Sequence, residues 1–257
     1  MIPKLIHYCW FGPPIDSNAM AFSCKKSWQK LGGGKLIEWN ESNCPCNENT
    51  FIRTAKEKKQ YAFMSDYYRL KALYEHGGIY LDTDIEIKKP LPESFYNYKC
   101  VFCFMYDNMV SSAFIMAEPH SPVIKGLLDE YENGNVESGI ANNKLYTVYL
   151  KKRYKDFLLI GKTQSLEDGV IIFPKEYFEC PTLDKSMGYA VHHFMGSWHH
   201  KKHLKILRRT VKYCRFHIPL FDYCYQNVFR KRGYKINEFY AQSVKDWATY
   251  NNNKHHR

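Results

Sequence analysis

Gly77-Gly78-Ile79-Tyr80-Leu81-Asp82-Thr83-Asp84-Ile85-Glu86-Ile87 is the stretch on which the fold turns. From Ile79 on it alternates strictly: Ile79, Leu81, Thr83, Ile85 and Ile87 face one way, and Tyr80, Asp82, Asp84 and Glu86 the other, which predicts a half-buried strand. The two glycines before it are a helix stop signal, and Glu57 to His76 upstream has helical periodicity with Ala62, Leu70 and Leu73 among its apolar positions. On that helix Ser65, Asp66 and Arg69 are three and four residues apart and share a face. A polar helical face therefore feeds directly into an acidic strand.

Working outward, Lys4 to Phe11 is an apolar, β-branched and aromatic run closed by Gly12-Pro13-Pro14. Asn18 to Leu31 reads as a helix ended by Gly32-Gly33-Gly34, and Lys35 to Asn40 as a second strand. This β-α-β order predicts an α/β fold with a parallel sheet. Downstream, Val101 to Tyr106 and Ala113 to Ala117 read as strands, Pro122 to Glu132 as a helix, and Asn135 to Leu159 as a weaker helical stretch. Val170 to Phe173 and Tyr189 to Phe194 read as late strands. No internal repeat stands out, and the only biased segment is the polar tail from Asn251.

At 257 residues, 45% hydrophobic and 16% aromatic, the chain can bury a full core, which argues against disorder. The nine cysteines are an odd number in a chain too long to need disulfide staples, so a reducing compartment is expected. Cys100 and Cys103, three apart on a strand, point to opposite faces, which disfavours a zinc knuckle there. The first ten residues lack a long apolar region and a small-residue cleavage site, so no signal peptide is expected, and no stretch approaches a membrane span. The net charge of +11 is unevenly distributed: residues 1–198 hold 23 basic and 23 acidic residues, whereas residues 199–257 hold 14 and 3. All the basicity belongs to a C-terminal appendage and says little about what the main domain binds.

Side chains two apart on a strand share a face, so Asp82 and Asp84 both reach the polar side near the strand's carboxyl end, where open α/β sheets hold ligands. Two hard oxygen donors suit Mg²⁺ or Mn²⁺, and such a cation neutralises charge on a leaving diphosphate, worth several kcal/mol. A lone Asp-x-Asp on a solvated strand face would carry no such meaning. Here Asp66 and Arg69 stand beside it, suited to a ribose hydroxyl and a phosphate, although an intrahelical ion pair is their simpler role. His192-His193-Phe194-Met195-Gly196-Ser197-Trp198 offers an imidazole to complete a metal shell, in a region that is histidine-rich in any case.

Ile2 to Gly12, Ser65-Asp66-Tyr67-Tyr68-Arg69-Leu70, Gly77 to Asp84 and Gly196-Ser197-Trp198, taken in order, resemble the DXD-containing sugar transferases of glycosyltransferase family 32. They are similar also to the catalytic domains of the large clostridial glucosylating toxins. The resemblance spans residues 2 to 198 and implies a GT-A fold: a mixed, mostly parallel sheet between helices. It implies transfer of a hexose with retention from a nucleotide diphosphate sugar, a UDP-sugar being favoured over a GDP-sugar. Carried over, Trp10 stacks on the base, Asp66 and Arg69 hold the ribose, sugar or phosphates, and Ser65 lies near base and ribose. Asp84 binds Mn²⁺ or Mg²⁺ directly, Asp82 binds it through water or contacts the ribose or sugar, and Ser197 and Trp198 contact the diphosphate. The H-x-x-G segment of the related family 8 transferases favours His193 over His192 as a metal ligand. The chain departs from family 32 at Ser111-Ser112 and at Ile140-Ala141-Asn142-Asn143, where relatives carry an asparagine and a Thr-Gly-Pro-like segment near the acceptor side. No carboxylate stands out as a nucleophile, and a front-face mechanism needs none.

The expected division is therefore a GT-A domain over 1–198 and a basic, aromatic-rich helical extension over 199–257. Residues 201–218 carry seven cations and no acid beside an apolar stripe of Leu204, Leu207, Val211, Cys214 and Ile218, which fits an anionic membrane surface. Packing of that stripe on the domain is the competing outcome, and nucleic acid is the disfavoured one. A cytoplasmic transferase at the inner face of the membrane, acting on a glycan that can be lipid-linked in surface or capsular polysaccharide synthesis, is the expectation. Its rivals are a non-catalytic sugar-nucleotide or glycan binder and an aspartate-nucleophile phosphatase, whose motif wants Thr or Val where Glu86 stands.

Overall fold

The structure, a computed structural model, describes residues 1–12, 14–45, 47–136, 142–194 and 205–255. Ten strands are found among them: β1 Leu5–Cys9, β2 Lys35–Trp39, β3 Gly78–Leu81, β4 Ile85–Ile87, β5 Cys100–Tyr106, β6 Met109–Val110, β7 Phe114–Ala117, β8 Gln164–Ser165, β9 Val170–Phe173 and β10 Ala190–His192. The helices are α1 Ala19–Ser27, α2 Thr50–Glu57, α3 Tyr61–His76, α4 Pro122–Glu132, α5 Asn142–Arg153, α6 Lys175–Phe178, α7 Lys205–His217, α8 Pro219–Ile236 and α9 Tyr240–His255. The main sheet runs β2-β1-β3-β7-β5-β9-β8, with β6 alongside β5. β1 is parallel to β2 and β3, β5 is parallel to β9, and β7 is antiparallel to both β3 and β5. Strands β2, β1, β3, β5 and β9 consequently all run the same way, with β7 reversed among them. Their carboxyl ends emerge on one edge, together with the start of β7.

Alternation along each strand divides the core between the two sheet faces. Tyr80, Cys100, Phe102, Ile115 and Ile172 enter one cluster, capped by α2 to α5. Ile79, Leu81, Val101, Cys103, Phe114 and Ile171 enter the other. Cys100 and Cys103 thus lie on opposite faces, as their spacing requires, and both are free thiols. The expected α/β sandwich with a mixed, mostly parallel sheet and C-terminal helices is what forms.

The strand expected over Ile79–Ile87 is divided. β3 ends at Leu81, the Ile85 amide donates to the Asp82 carbonyl at 2.9 Å to close a turn, and β4 leaves to pair antiparallel with β10. Aspartate and threonine are turn residues, and their own chemistry overrides the alternation on either side. β4 is held from the end of α1: the indole of Trp28, just past the helix, donates to the Ile85 carbonyl at 2.8 Å, and the Ser27 hydroxyl accepts from the Ile87 amide at 2.8 Å. Gly77 and Gly78, both at positive φ, set the entry to β3. A Cβ on Gly78 would lie 2.6 Å from the Leu5 carbonyl oxygen, so only glycine lets β3 lie against β1. His7 adds a fixed link there: Trp39 Nε1 donates to its Nδ1 at 3.1 Å, so its Nε2 carries the proton and donates to the Gly77 carbonyl at 2.8 Å.

α2, absent from the expected elements, is capped by Asn49, whose side chain accepts from the Ile52 amide. It leaves α3 to begin at Tyr61 rather than Glu57. The C-terminal helices are tied to the sheet by buried polar contacts: Ser243 Oγ donates to the Leu159 carbonyl, the Leu159 amide donates to Asp246 at 2.8 Å, and Asn108 donates to the Tyr234 carbonyl at 3.1 Å. Among the described residues no helix is long and apolar enough to cross a membrane.

Candidate active site

The carboxyl edge of the sheet gathers the residues singled out by their chemistry. Trp10 follows β1, Asp82 follows β3, and Ser111-Ser112 precede β7. The Asp82 amide still donates to the Ala113 carbonyl at 2.8 Å, so the first aspartate is fixed by the last rung of the sheet. Asp84, two residues on, hangs from the turn.

Arg69 organises one half of this edge. Its helix α3 packs on β1 and β3, which carries the buried guanidinium across to the turn. It pairs with Asp66 at 2.8 Å and Asp82 at 3.2 Å, donates to the Ser112 carbonyl at 2.7 Å and the Ser65 carbonyl at 3.3 Å, and lies 4.8 Å from the centre of the Tyr80 ring. Tyr80 in turn donates its hydroxyl to Asp82 at 2.9 Å. Burial is the strongest influence on both carboxylates. It pushes Asp66 up to about 7 against the pull of Arg69, and it raises Asp82 likewise. One guanidinium thus serves two carboxylates, offsetting part of the cost of burying them.

The other half is built on β4 and β10. Their pairing sets His192 opposite Ile85, and the His193 amide donates to the Asp84 carbonyl at 3.0 Å. His192 Nε2 lies 3.2 Å from Asp84, and its Nδ1 lies 3.1 Å from Glu179, which is completely buried just beyond α6. Burial disfavours the imidazolium, yet the two flanking carboxylates outweigh it and push His192 up to about 10. Glu179 is held below the usual carboxylate range despite its burial, by His192, Arg230 and the Ser111 hydroxyl. Carboxylate oxygens of Asp82 and Asp84 and a ring nitrogen of His192 all lie within 4.8 Å of one another. Two hard oxygens with one imidazole, the imidazole backed by a buried carboxylate, form a donor set that fits a divalent cation such as Mn²⁺ or Mg²⁺.

The histidine preferred from sequence changes places. His193 turns away from the aspartates, bonding Glu86 at 2.9 Å and packing on Phe216, and His192 takes the position beside Asp84. Neighbouring residues at a strand end point to opposite sides, and the β4–β10 register decides which one faces the turn. Asp66, Arg69, Asp82 and Asp84 do converge. Trp10 is half-buried at the same edge, its amide donating to the Trp39 carbonyl at 2.9 Å. Ser65 directs its hydroxyl back to the Tyr61 carbonyl, so its role in the site is through its own carbonyl on Arg69. Ser197 and Trp198 lie outside the described residues.

Sequence reasoning missed Tyr80, Glu179 and Arg230. Tyr80 was legible as the polar-side neighbour of Asp82. Glu179 and Arg230 carried no local signal, because each acquires its meaning from a contact across the fold. At the departures from the family 32 pattern, Asn143 accepts from both the amide and the hydroxyl of Ser112, at 3.1 and 2.9 Å, so the two divergent segments meet beside Arg69.

Residues 23–102, which include α3 and the Asp82-Thr83-Asp84 turn, match the family described as glycosyltransferase sugar-binding region containing DXD motif. Among solved structures the chain is similar to PaToxG glycosyltransferase, at 18% identity and TM-score 0.45 over 59% of this chain and 70% of that one. It is similar to a glycosyltransferase involved in glycosylation of the major capsid of PBCV-1, at 12% identity and TM-score 0.43 over 73% and 93% of the two chains. A third similar structure is the apo form of the glycosyltransferase GlyE of Streptococcus pneumoniae TIGR4, at 12% identity and TM-score 0.35 over 59% and 44%. No curated protein matches the sequence.

Proposed function

We propose that this chain, which carries the DXD-containing sugar-binding region of glycosyltransferases, is a metal-dependent hexosyltransferase that uses a nucleotide diphosphate sugar, a UDP-sugar by preference. The observation that carries this reading is the convergence of Asp82, Asp84 and His192 at the carboxyl edge of the sheet, next to the buried Arg69. Asp84 and His192 would hold Mn²⁺ or Mg²⁺, the imidazole favouring the softer Mn²⁺. Bound there, the cation supplies neutralisation of the charge that develops on a leaving diphosphate, worth several kcal/mol. Arg69 and Asp66 orient ribose and sugar, Trp10 offers its ring to the base, and Ser197 and Trp198 are assigned to the diphosphate.

Retention by front-face attack suits a site in which the nearby carboxylates are already engaged: Asp66 and Asp82 by Arg69, and Asp84 and Glu179 by His192. The acceptor is a glycan, with lipid-linked surface polysaccharide the favoured class. Attachment of the basic extension to an anionic membrane from the cytoplasmic side is supported by the exposure of Tyr213, Ile218, Leu220, Val228 and Ile236 within it. Vesicle flotation tests this: no binding to anionic vesicles at low salt would remove the membrane from the proposal.

The central test is hydrolysis of a panel of UDP- and GDP-sugars with and without Mn²⁺, in wild type and Asp84→Ala. The expected outcome is metal-dependent release of one nucleoside diphosphate, reduced at least about 1000-fold in the variant, the equivalent of several kcal/mol. Tight donor binding without hydrolysis would favour the non-catalytic binder instead.

A further inference from the structure

Helix α8 is built inside out. Its buried residues Asp222, Gln226, Arg230 and Gly233 follow one another at steps of four, four and three, so they form a single stripe, and three of them are polar. Asp222, Gln226 and Arg230 are only 3%, 1% and 2% exposed, whereas Leu220 and Val228 of the same helix are 68% and 71% exposed. A surface helix ordinarily turns its apolar face inward. Burying ions instead is unfavourable unless every charge is paired and hydrogen-bonded.

The stripe meets that condition by reaching the site. Arg230 donates through one terminal nitrogen to the Met105 carbonyl near the end of β5. Its other terminal nitrogen donates to the Glu179 carbonyl at 2.6 Å, the Glu179 carboxylate at 3.2 Å and Gln226 at 3.1 Å. Gln226 donates to the His192 carbonyl at 3.2 Å and to Asp222 at 3.0 Å, and Asp222 is closed off by Arg215 of α7 at 2.7 Å. Phe194, held at φ +51°, stacks on the His192 ring at 3.9 Å and lies 4.8 Å from the Arg230 guanidinium. Both the backbone and the ring of His192 are therefore fixed from α8, the ring through Glu179.

We infer that Arg230 is a positioning residue of the metal-holding group, acting through Glu179 on His192, and that helix α8 of the basic extension is an integral part of the catalytic centre. This rests on the metal-dependent reading proposed above. The guanidinium is suited to the task because its planar fork spans Met105, Glu179 and Gln226 at once, which a lysine ammonium cannot do. Without it the Glu179 carboxylate would lose the fork that fixes its orientation toward the His192 ring.

The test is Mn²⁺ titration without any donor, followed by the paramagnetic signal of free Mn²⁺, with thermal melts on every sample. Arg230→Lys, which keeps a positive charge at Glu179, is the principal variant. Arg230→Met combined with Glu179→Gln removes both charges together, so that the test does not depend on Arg230→Lys alone remaining folded. Arg232→Met, on the exposed side of α8, is the control. The expected result is Mn²⁺ affinity weakened roughly 10–100-fold in the folded Arg230 variants, unchanged in Arg232→Met, with donor hydrolysis by Arg230→Lys recovered at high Mn²⁺. Wild-type Mn²⁺ affinity in a folded Arg230 variant would overturn the inference and leave the metal-dependent reading intact. Absence of Mn²⁺ binding by the wild type, or equal binding by Asp84→Ala, would instead overturn that reading and the inference with it.

Discussion

Asp82 and Asp84 are the same residue two positions apart, yet opposite kinds of cation hold them. Asp82 belongs to the α3–β3 side, where Arg69 and the Tyr80 hydroxyl grip it. Asp84 belongs to the β4–β10 side, where His192 meets it with Glu179 and Arg230 behind. A guanidinium keeps its protons at any working pH, so the cation of the first side is fixed. An imidazole can give up its proton and present a lone pair instead, so the second side can be opened to a divalent cation. On the proposed reading the difference would divide the labour between the two aspartates, Asp82 serving the scaffold around Arg69 and Asp84 the cation directly.

Breaking the exchangeable side should have the largest effect. His192→Ala is expected to weaken Mn²⁺ binding, measured by calorimetry without donor, by more than the roughly 10–100-fold that indirect supports typically cost. A folded His192→Ala with near-normal Mn²⁺ affinity would mean that the β4–β10 side is only structural. Next comes the permanent side, where Asp66→Asn keeps the shape and removes the charge. Its folded-state value is raised from 3.8 to about 7, so its contribution to stability is full below pH 3.8 and is lost as pH rises through about 7. Thermal melts should therefore show Asp66→Asn gaining on wild type across that window and staying level above it, by at most about 4 kcal/mol. Donor affinity should fall about tenfold in the same variant, one polar contact to a ribose or sugar being worth about that much. A flat pH difference would show that Arg69, rather than burial, governs Asp66. The smallest effect is expected from His193→Ala: Mn²⁺ affinity within about twofold of wild type, because that ring bonds Glu86. A loss matching that of His192→Ala would restore His193 to the role its sequence context favours.

The donor side was legible because its members are close in sequence. Ser65, Asp66 and Arg69 lie on one helical face, and the helix runs through two glycines into β3, so local periodicity alone brings Arg69 towards Asp82. The metal side was only half legible. The Ile79–Ile87 alternation places Ile79, Leu81, Ile85 and Ile87 in one core cluster, as expected, but it conceals the turn that separates β3 from β4. The neighbours His192 and His193 differ only in which one the pairing with β4 turns inward. In the basic extension the sequence offered an apolar stripe beside a basic face over residues 201–218, read as facing an anionic membrane or packing by its apolar side. In α8 the reverse holds for Asp222, Gln226 and Arg230, since a polar stripe is buried wherever the surface it meets is polar too.

Periodicity, glycine placement and residue chemistry over short spans were sufficient for the α/β class, the parallel β1-α1-β2 start, the shared location of Asp82 and Asp84 and the Asp66–Arg69 pair, because each depends on residues within a few turns of one another. The partner of Asp84, the buried carboxylate behind it and the arginine reaching back from α8 depended on the tertiary structure. Glu179 and Arg230 are 51 residues apart, and their contact exists only once β5, α6 and α8 have packed. Side chains so distant acquire a common electrostatic role through burial together, which no local pattern encodes.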